Sequence, residues 1–314
     1  MRPLPTRVLR VGMSREAEKT VLDPIGKLTK DLRDAARSLT AGEARYMVDA
    51  YYSIQAYRTS SSNQVRSQAE NEEPSEVLAW FFDNARLLEN QIKRALDAYT
   101  DGSVLGTWCK AERGIGPVIS AGFLAHIDIT RAPTAGNLWS FAGLNPAQEW
   151  DKGQIRPWNA RLKTLCWKLG ESFTKVCNHP DSHYGRIYRE RKELEIIRNQ
   201  EGDYKEQAAA KLEKFKIGKS TTAYKFYSDG LLPPAHIHAR AKRYAVKMFL
   251  SHYHEVAYWI QYGQLAPVPY VLEHLGHAHY YLPPNLDIDV SLQALGMLRK
   301  AKTPVVELDL KGIL

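Results

Sequence analysis

The stretch Gly114-Ile-Gly-Pro117 constrains the fold most, because it ends one helix and begins another. Glycine adopts backbone conformations that other residues avoid, so two glycines around one apolar residue predict a tight turn. Proline suits the first position of a helix, where its missing N–H group costs nothing. Apolar residues recur at helical spacing after the turn and predict a buried helix. These residues are Val118, Ile119, Phe123, Leu124 and Ile127.

A glycine–apolar–glycine turn before a helix is typical of a helix-hairpin-helix, in which exposed backbone amides bind nucleic-acid phosphates. Lys110 and Arg113 precede the turn and would add positive charge. The predicted phosphate contacts of the hairpin are Lys110, Arg113, Gly114, Ile115 and Gly116. The alternative is a plain helical hairpin in which the glycines serve only the turn.

The net charge of +8 is concentrated in one segment of the chain. Residues 152–225 hold 17 Lys and Arg against 9 Asp and Glu, whereas the rest of the chain has 26 of each. A local surplus of this kind is expected for a surface that binds phosphates. Ordinary solvated helix faces are the alternative, most strongly for the charged residues of 192–219. The candidate contacts in the segment are Lys152, Arg156, Arg161, Lys163 and Lys168.

The order of motifs resembles the C-terminal domain of the transposases of the IS110/IS116/IS902 insertion sequences. That domain has a Gly-Ile-Gly-Pro hairpin, then a Tyr/Phe-Ala-Gly-Leu-x-Pro segment, then a basic helix. Here Phe141-Ala-Gly-Leu-Asn-Pro146 follows the hairpin, and a basic helix is predicted over 159–175. The match is best over 78–190 and weaker over 236–262. The resemblance implies a DNA-binding protein of a phage or mobile element, and it leaves RNA open as a second partner.

Two departures from the family pattern argue against recombinase chemistry. The family has a serine nucleophile soon after its Gly-Leu-x-Pro segment, whereas residues 147–163 contain no Ser, Thr, Tyr or Cys. The family also begins with a RuvC-like domain whose four carboxylates bind metal, and no such domain is recognisable here. We therefore expect DNA contact in an accessory or regulatory role in recombination, with no catalytic residue, metal or cofactor. The alternatives are an active transposase or nuclease using Glu149 and Asp151, and a structural, oligomerising helical protein.

Apolar periodicity predicts an all-α protein with a central helix-hairpin-helix. We divide it into an N-terminal helical region (1–100), a transposase-like domain (101–262) and a proline-rich, extended tail (263–314). Two polar helices within 183–217 predict a long antiparallel arm, inserted at about 183–235 relative to the family. Thr40 and Glu43 have the spacing of a capping box, and the serines of 60–63 predict a loop. The sequence leaves open a recombinase or other protein partner and a homo-oligomer.

Seven of the ten histidines lie between positions 236 and 279, and histidine is the commonest metal ligand. Several are paired two residues apart, and such a pair on a helix points to opposite faces, which argues against zinc. We predict packed, hydrogen-bonded histidines, or phosphate contacts by the first pair. Zinc stays open for the tail pair, if that segment is extended. The pairs are His236/His238, His252/His254 and, in the tail, His277/His279.

The chain has no run of 18 apolar residues, so no membrane span is expected. Its first ten residues lack the apolar core of a signal peptide. The cysteines Cys109, Cys166 and Cys177 have no metal or redox spacing. A reduced, cytoplasmic protein is therefore expected.

Overall fold

The computed structural model of the protein describes residues 26–69, 76–264, 266–267 and 283–285. These residues form eleven α-helices and no strand, which confirms the all-α prediction for the described part of the chain. Residues 1–25, most of the tail and the tail's histidine pair lie outside the described residues. No described helix is long and apolar enough to cross a membrane.

Of the three N-terminal helices, the two long ones pack against each other. Thr40 and Glu43 make the predicted capping box: the Thr40 amide donates to Glu43 Oε2 (2.8 Å) and the Glu43 amide to Thr40 Oγ1 (3.3 Å). The loop predicted at 60–63 is wrong, because these residues continue a helix. The Ser61 hydroxyl donates to the Tyr57 carbonyl (2.9 Å), so the polar run finds its hydrogen bonds inside the helix. The helices are α1 (Lys30–Ala35), α2 (Ala41–Ala69) and α3 (Glu76–Asp101).

The hairpin at 112–116 joins α4 (Val104–Ala111) to α5 (Pro117–His126), which pack against each other. Pro117 occupies the first turn of α5, as predicted. Gly114 has φ +99°, a conformation that a residue with a Cβ adopts only under strain. Gly116 has φ −91° and no heavy atom within 4 Å of where its Cβ would be. The turn therefore needs glycine at the first position but not at the second, which corrects the expectation for Gly116.

The remaining helices surround the main core. Its largest fully buried members are aromatic, and they bring α5, α7, α8 and α11 together: Phe123, Phe173, Tyr184, Phe249 and Tyr253. A second, smaller core joins the region around α9 and α10 to the start of α11. These helices are α6 (Ala135–Phe141), α7 (Ala160–Lys175), α8 (His183–Gln200), α9 (Lys205–Lys214), α10 (Thr222–Ser228) and α11 (Pro234–Tyr262).

The predicted antiparallel arm is wrong for α8, which packs along α11 and enters the main core with Tyr184, Ile187 and Tyr188. Glu195 is almost completely buried on the same side of the helix and accepts hydrogen bonds from Arg240 Nε (2.5 Å) and the Tyr204 hydroxyl (2.6 Å). Because α8 has so many charged residues, its sequence does not predict that one side of the helix is buried. Helix α9, the other helix of the predicted arm, packs against α10.

Candidate nucleic-acid interface

The hairpin exposes only part of the predicted phosphate site. Arg113 and Gly116 are exposed, whereas Ile115 is buried in the main core and its amide donates to the Glu112 carbonyl (3.0 Å). No side chain caps the N-terminus of α5 at Gly116. The phosphate-binding role of this turn stays a prediction.

Three of the predicted cations are engaged in contacts within the protein. Lys110 Nζ lies 2.6 Å from Asp97 Oδ1 and 2.5 Å from Asp101 Oδ1, so it ties α4 to α3. Two cations on α7 instead face α2. Arg161 Nη1 lies 2.7 Å from Asp49 Oδ2, and Lys168 Nζ lies 3.8 Å from the centroid of the Tyr52 ring. Carboxylates thus neutralise Lys110 and Arg161, whereas Lys168 keeps its charge but faces α2.

Arg156 and Lys163 instead flank a groove of about 620 Å³. The loop between α6 and α7 forms one wall of the groove and the first half of α7 the other. Arg156 Cζ lies 4.8 Å from the centroid of the Trp150 ring, and Lys163 Nζ lies 4.1 Å from that of Trp158. We call this the tryptophan groove, and its lining includes Trp150, Arg156, Trp158, Lys163, Thr164 and Trp167.

The Phe-Ala-Gly-Leu-Asn-Pro segment positions the groove. Gly143 has φ +65°, and a Cβ there would lie 2.8 Å from the Trp158 ring, so glycine lets the indole pack against the backbone. The Asn159 amide donates to the Phe141 carbonyl (2.9 Å), which ties the end of the loop to α6. Asn159 then caps α7, accepting from the amides of Arg161 and Leu162 (both 3.0 Å).

Helix α11 adds positive charge that sequence reasoning did not include among the site residues. The α11 stripe is a row of basic side chains at spacing i, i+4, i+7 and i+11, which places them on one face. Arg240 is paired with Glu195, whereas Arg243 and Lys247 form no ion pair within the described residues. The spacing of these basic residues in the sequence is enough to predict that they share one helix face. Its members are His236, Arg240, Arg243 and Lys247. The positive charge comes from the last three, because burial lowers the pKa of His236 to about 4.

The groove and the α11 stripe are electrostatically coupled. Partial burial lowers the pKa of Lys163, and the positive charges of Arg156 and Arg243 lower it further. Burial likewise lowers the pKa of Lys247, with Arg243 adding to the effect. We call Arg156, Lys163, Arg243 and Lys247 the cationic surface, and none of the four forms an ion pair among the described residues. Cations held this close together form a place where an anion would bind favourably.

The histidines of α11 are packed and hydrogen-bonded, as predicted. Three of them share a hydrogen bond with a tyrosine hydroxyl, and His254 Nε2 contacts the Ala132 carbonyl (2.8 Å). Within the described residues no group of three or more His, Cys, Asp or Glu side chains is placed to hold a metal ion. The tyrosine pairs are Tyr227–His236, Tyr188–His238 and Tyr184–His252.

The carboxylates of the described residues do not converge on one site. Glu89 pairs with Arg58, Asp97 with Lys110 and Asp49 with Arg161. Glu149 and Asp151 are exposed beside Trp150 in the groove loop, as is Lys152. Cys109 and Cys166 are buried free thiols whose pKa values are raised by that burial.

The described surface thus combines unpaired cations with tryptophans in one place, where α7, α11 and the groove loop meet. The hairpin lies toward the other end of α7, where Ser172 Oγ donates to the Gly114 carbonyl (2.5 Å). Thr164 and Ser172 are eight residues apart, or roughly 12 Å along the helix axis. Comparison with known proteins finds no matching family model, curated protein or solved structure.

Proposed function

We propose that the protein binds nucleic acid, with DNA as its first partner, through the cationic surface beside the tryptophan groove. The observation that carries the proposal is the convergence of four cations from three separate elements, none of which forms an ion pair within the described residues: Arg156, Lys163, Arg243 and Lys247. Glu195 attracts Arg243 from beyond ion-pair distance, but its carboxylate is already paired with Arg191 and Arg240. The charges of Arg156 and Arg243 lower the pKa of Lys163, and the charge of Arg243 lowers the pKa of Lys247. Phosphate oxygens bound here would neutralise these cations.

The biological setting of the proposal comes from the order of motifs. The hairpin, the Phe-Ala-Gly-Leu-Asn-Pro segment and the basic helix occur in the order found in the DNA-contacting domain of IS110-type transposases. In this chain the second motif seats Trp158 and so shapes the groove. We therefore propose an accessory or regulatory role in the DNA recombination of a phage or mobile element.

The dependence of affinity on salt tests the proposal. Four phosphate contacts predict that log K falls against log[salt] with a slope of about −3 to −4, because each contact releases condensed counterions. The double variant Lys163→Gln/Arg243→Gln should weaken binding to every duplex sequence alike and flatten the slope by about two units.

A matched control removes two exposed charges elsewhere. Lys93 and Arg94 are exposed on α3 and form no ion pair among the described residues, so Lys93→Gln/Arg94→Gln makes the same change in net charge. The control should keep the wild-type slope. Equal losses in both variants would mean that only net charge matters, and wild-type protein that binds no nucleic acid at low salt would refute the proposal.

A further inference from the structure

The three tryptophans of the groove differ in what their rings contact. Trp150 and Trp158 lie edge to face, with centroids 6.4 Å apart, and each carries a cation over its ring. Trp150 Nε1 also donates to the Gln154 carbonyl (2.8 Å). These two indoles are therefore held in place by the protein itself.

Trp167 is not held in this way. Its side chain is 60% exposed, and within the described residues its ring has no aromatic or cationic partner. It projects from α7 one helical turn beyond Lys163 and lines the same groove. Tryptophan buries more apolar area than most residues and contributes strongly to binding when it lies on a surface. A ring left open beside two cations is thus suited to a flat, apolar ligand that carries negative charge.

We infer that the tryptophan groove binds unpaired nucleotides, with a base stacked on the Trp167 indole and the adjoining phosphates on Arg156 and Lys163. The inference rests on the proposed function and specifies its ligand. Bases in a duplex are stacked on one another, so an indole reaches a base face only where the strand is unpaired. The groove volume of about 620 Å³ falls within the range of roughly 300–1,000 Å³ typical of small-ligand sites, large enough to admit a base.

Charge complementarity also favours a nucleotide over an uncharged aromatic ligand. Lys163 has a lowered pKa because of partial burial and the neighbouring Arg156 and Arg243, and a phosphate between them would relieve that repulsion. The cations that hold Trp150 and Trp158 in place therefore also lie where the backbone of a stacked nucleotide would pass. Stacking is tolerant of base identity, so weak sequence preference is expected.

The test compares a fluorescently labelled single-stranded DNA oligonucleotide, the same sequence as single-stranded RNA, and the blunt duplex, all at one salt concentration. Trp167→Ala should weaken single-strand binding on the order of 10-fold or more and leave duplex binding within about 2-fold. Trp167→Phe should restore most of the loss. Trp80, which is 50% exposed on α3, supplies the control, and Trp80→Ala should change neither affinity. The RNA and DNA arms show which single strand is preferred.

The outcomes separate this inference from the proposed function. If the wild-type protein binds the duplex with the expected salt slope but Trp167→Ala changes single-strand and duplex affinities equally, the stacking site is refuted and the cationic surface stands. If the wild-type protein binds none of the three probes, both fail. The melting temperature of Trp167→Ala should match that of the wild type, because the exposed ring has no aromatic or cationic partner to lose within the described residues. A lower melting temperature would show that the ring packs within the protein and would overturn the assignment.

Discussion

Lys163 and Lys168 lie on the same helix but contact opposite neighbours: Lys163 Nζ is 4.1 Å from the Trp158 ring centroid, and Lys168 Nζ is 3.8 Å from that of Tyr52. Five residues along a helix correspond to a rotation of about 140°. The first lysine therefore borders the tryptophan groove, whereas the second joins α7 to α2. A basic helix that looks uniform in sequence has two separate roles in the fold.

This separation predicts that substitutions at the two lysines change different properties of the protein. Lys163→Glu should weaken DNA binding and flatten the salt slope by at least about one unit, because a phosphate contact is lost. Lys168→Gln should leave the slope unchanged and lower the free energy of unfolding by about 0.5–1 kcal/mol, through loss of the cation–π contact with Tyr52. Salt-dependent binding and chemical denaturation measure the two effects. A flattened slope for Lys168→Gln would contradict the prediction, because it would show that Lys168 also contacts the nucleic acid.

The hairpin is tested at Gly116, where a side chain fits without strain. Asp at this N-cap position would satisfy the free amides of α5, so Gly116→Asp should raise the free energy of unfolding by a few tenths of a kcal/mol. The same carboxylate would repel a phosphate bound at the helix terminus. Gly116→Asn caps the helix with a neutral side chain of the same size and serves as the control.

The binding result then decides the role of the turn. If the hairpin contacts phosphate, the Asp variant should bind DNA more weakly than the Asn variant by roughly 5-fold or more at low salt, although both are folded. Equal affinities of the two variants would leave the hairpin as a turn between two packed helices. Gly114→Ala is unsuitable for this purpose, since φ +99° and a contact of 3.0 Å with Val176 Cγ2 would strain the fold itself.

The elements predictable from sequence are those with local signals. The Thr40–Glu43 capping box, Pro117 in the first turn of α5 and the start of α7 after Asn159 each depend on residues within a few positions of one another. The partners of the charged residues were not predictable in this way. Lys110 is bound by Asp97, and this pairing follows from how α3 and α4 dock, which no short pattern encodes.

The candidate site shows the same division. Arg156 and Lys163 were identified from charge and resemblance, and both border the groove. Arg243 joins them only because α7 and α11 pack together through the main core, a contact between positions about 80 residues apart. The exposure of the Trp167 ring was equally unpredictable from the sequence. Its two neighbours in the chain are not exposed in the same way: Cys166 is buried, and Lys168 packs on Tyr52.

Glu112 predicts a pH dependence of stability. It is only 3% exposed in the hairpin turn; burial raises its pKa to about 7, and a hydrogen bond from Asn285 Nδ2 (2.5 Å) opposes part of that rise. A carboxyl group whose pKa rises on folding holds its proton more tightly in the folded state. Its contribution is therefore complete below about pH 4.5, the ordinary value, and is lost as the pH rises toward 7.

Glu112→Gln removes this titration and keeps an acceptor for Asn285. The free energy of unfolding of the wild type should fall relative to the variant between pH 5 and 8, by a few kcal/mol at most. Glu213→Gln, an exposed position on α9, is the control and should follow the wild-type curve. Parallel curves for the wild type and Glu112→Gln would show that the buried carboxyl does not titrate in this range.

Two serines, Ser140 and Ser172, flank the stretch of residues 147–163 that lacks hydroxyl and thiol side chains, and both are hydrogen-bonded within the protein. Ser140 Oγ accepts a hydrogen bond from Asn145 Nδ2 (3.0 Å). Ser172 Oγ donates a hydrogen bond to the Gly114 carbonyl (2.5 Å). A serine nucleophile needs a base within hydrogen-bond reach that takes its proton. A backbone carbonyl cannot do this, and in this structure the Ser172 hydroxyl joins the hairpin to α7.

The last prediction is therefore binding without strand transfer. Glu149 and Asp151 are exposed in the groove loop, whereas Asp49, Glu89 and Asp97 are neutralised by ion pairs. A two-metal mechanism requires carboxylates that converge on ions about 4 Å apart. We expect purified protein to retard DNA in gels without cleaving or joining it, with or without Mg²⁺ or Mn²⁺. A covalent protein–DNA adduct, or metal-dependent nicking that disappears in Glu149→Ala but persists in Glu213→Ala, would contradict this expectation and establish an enzyme.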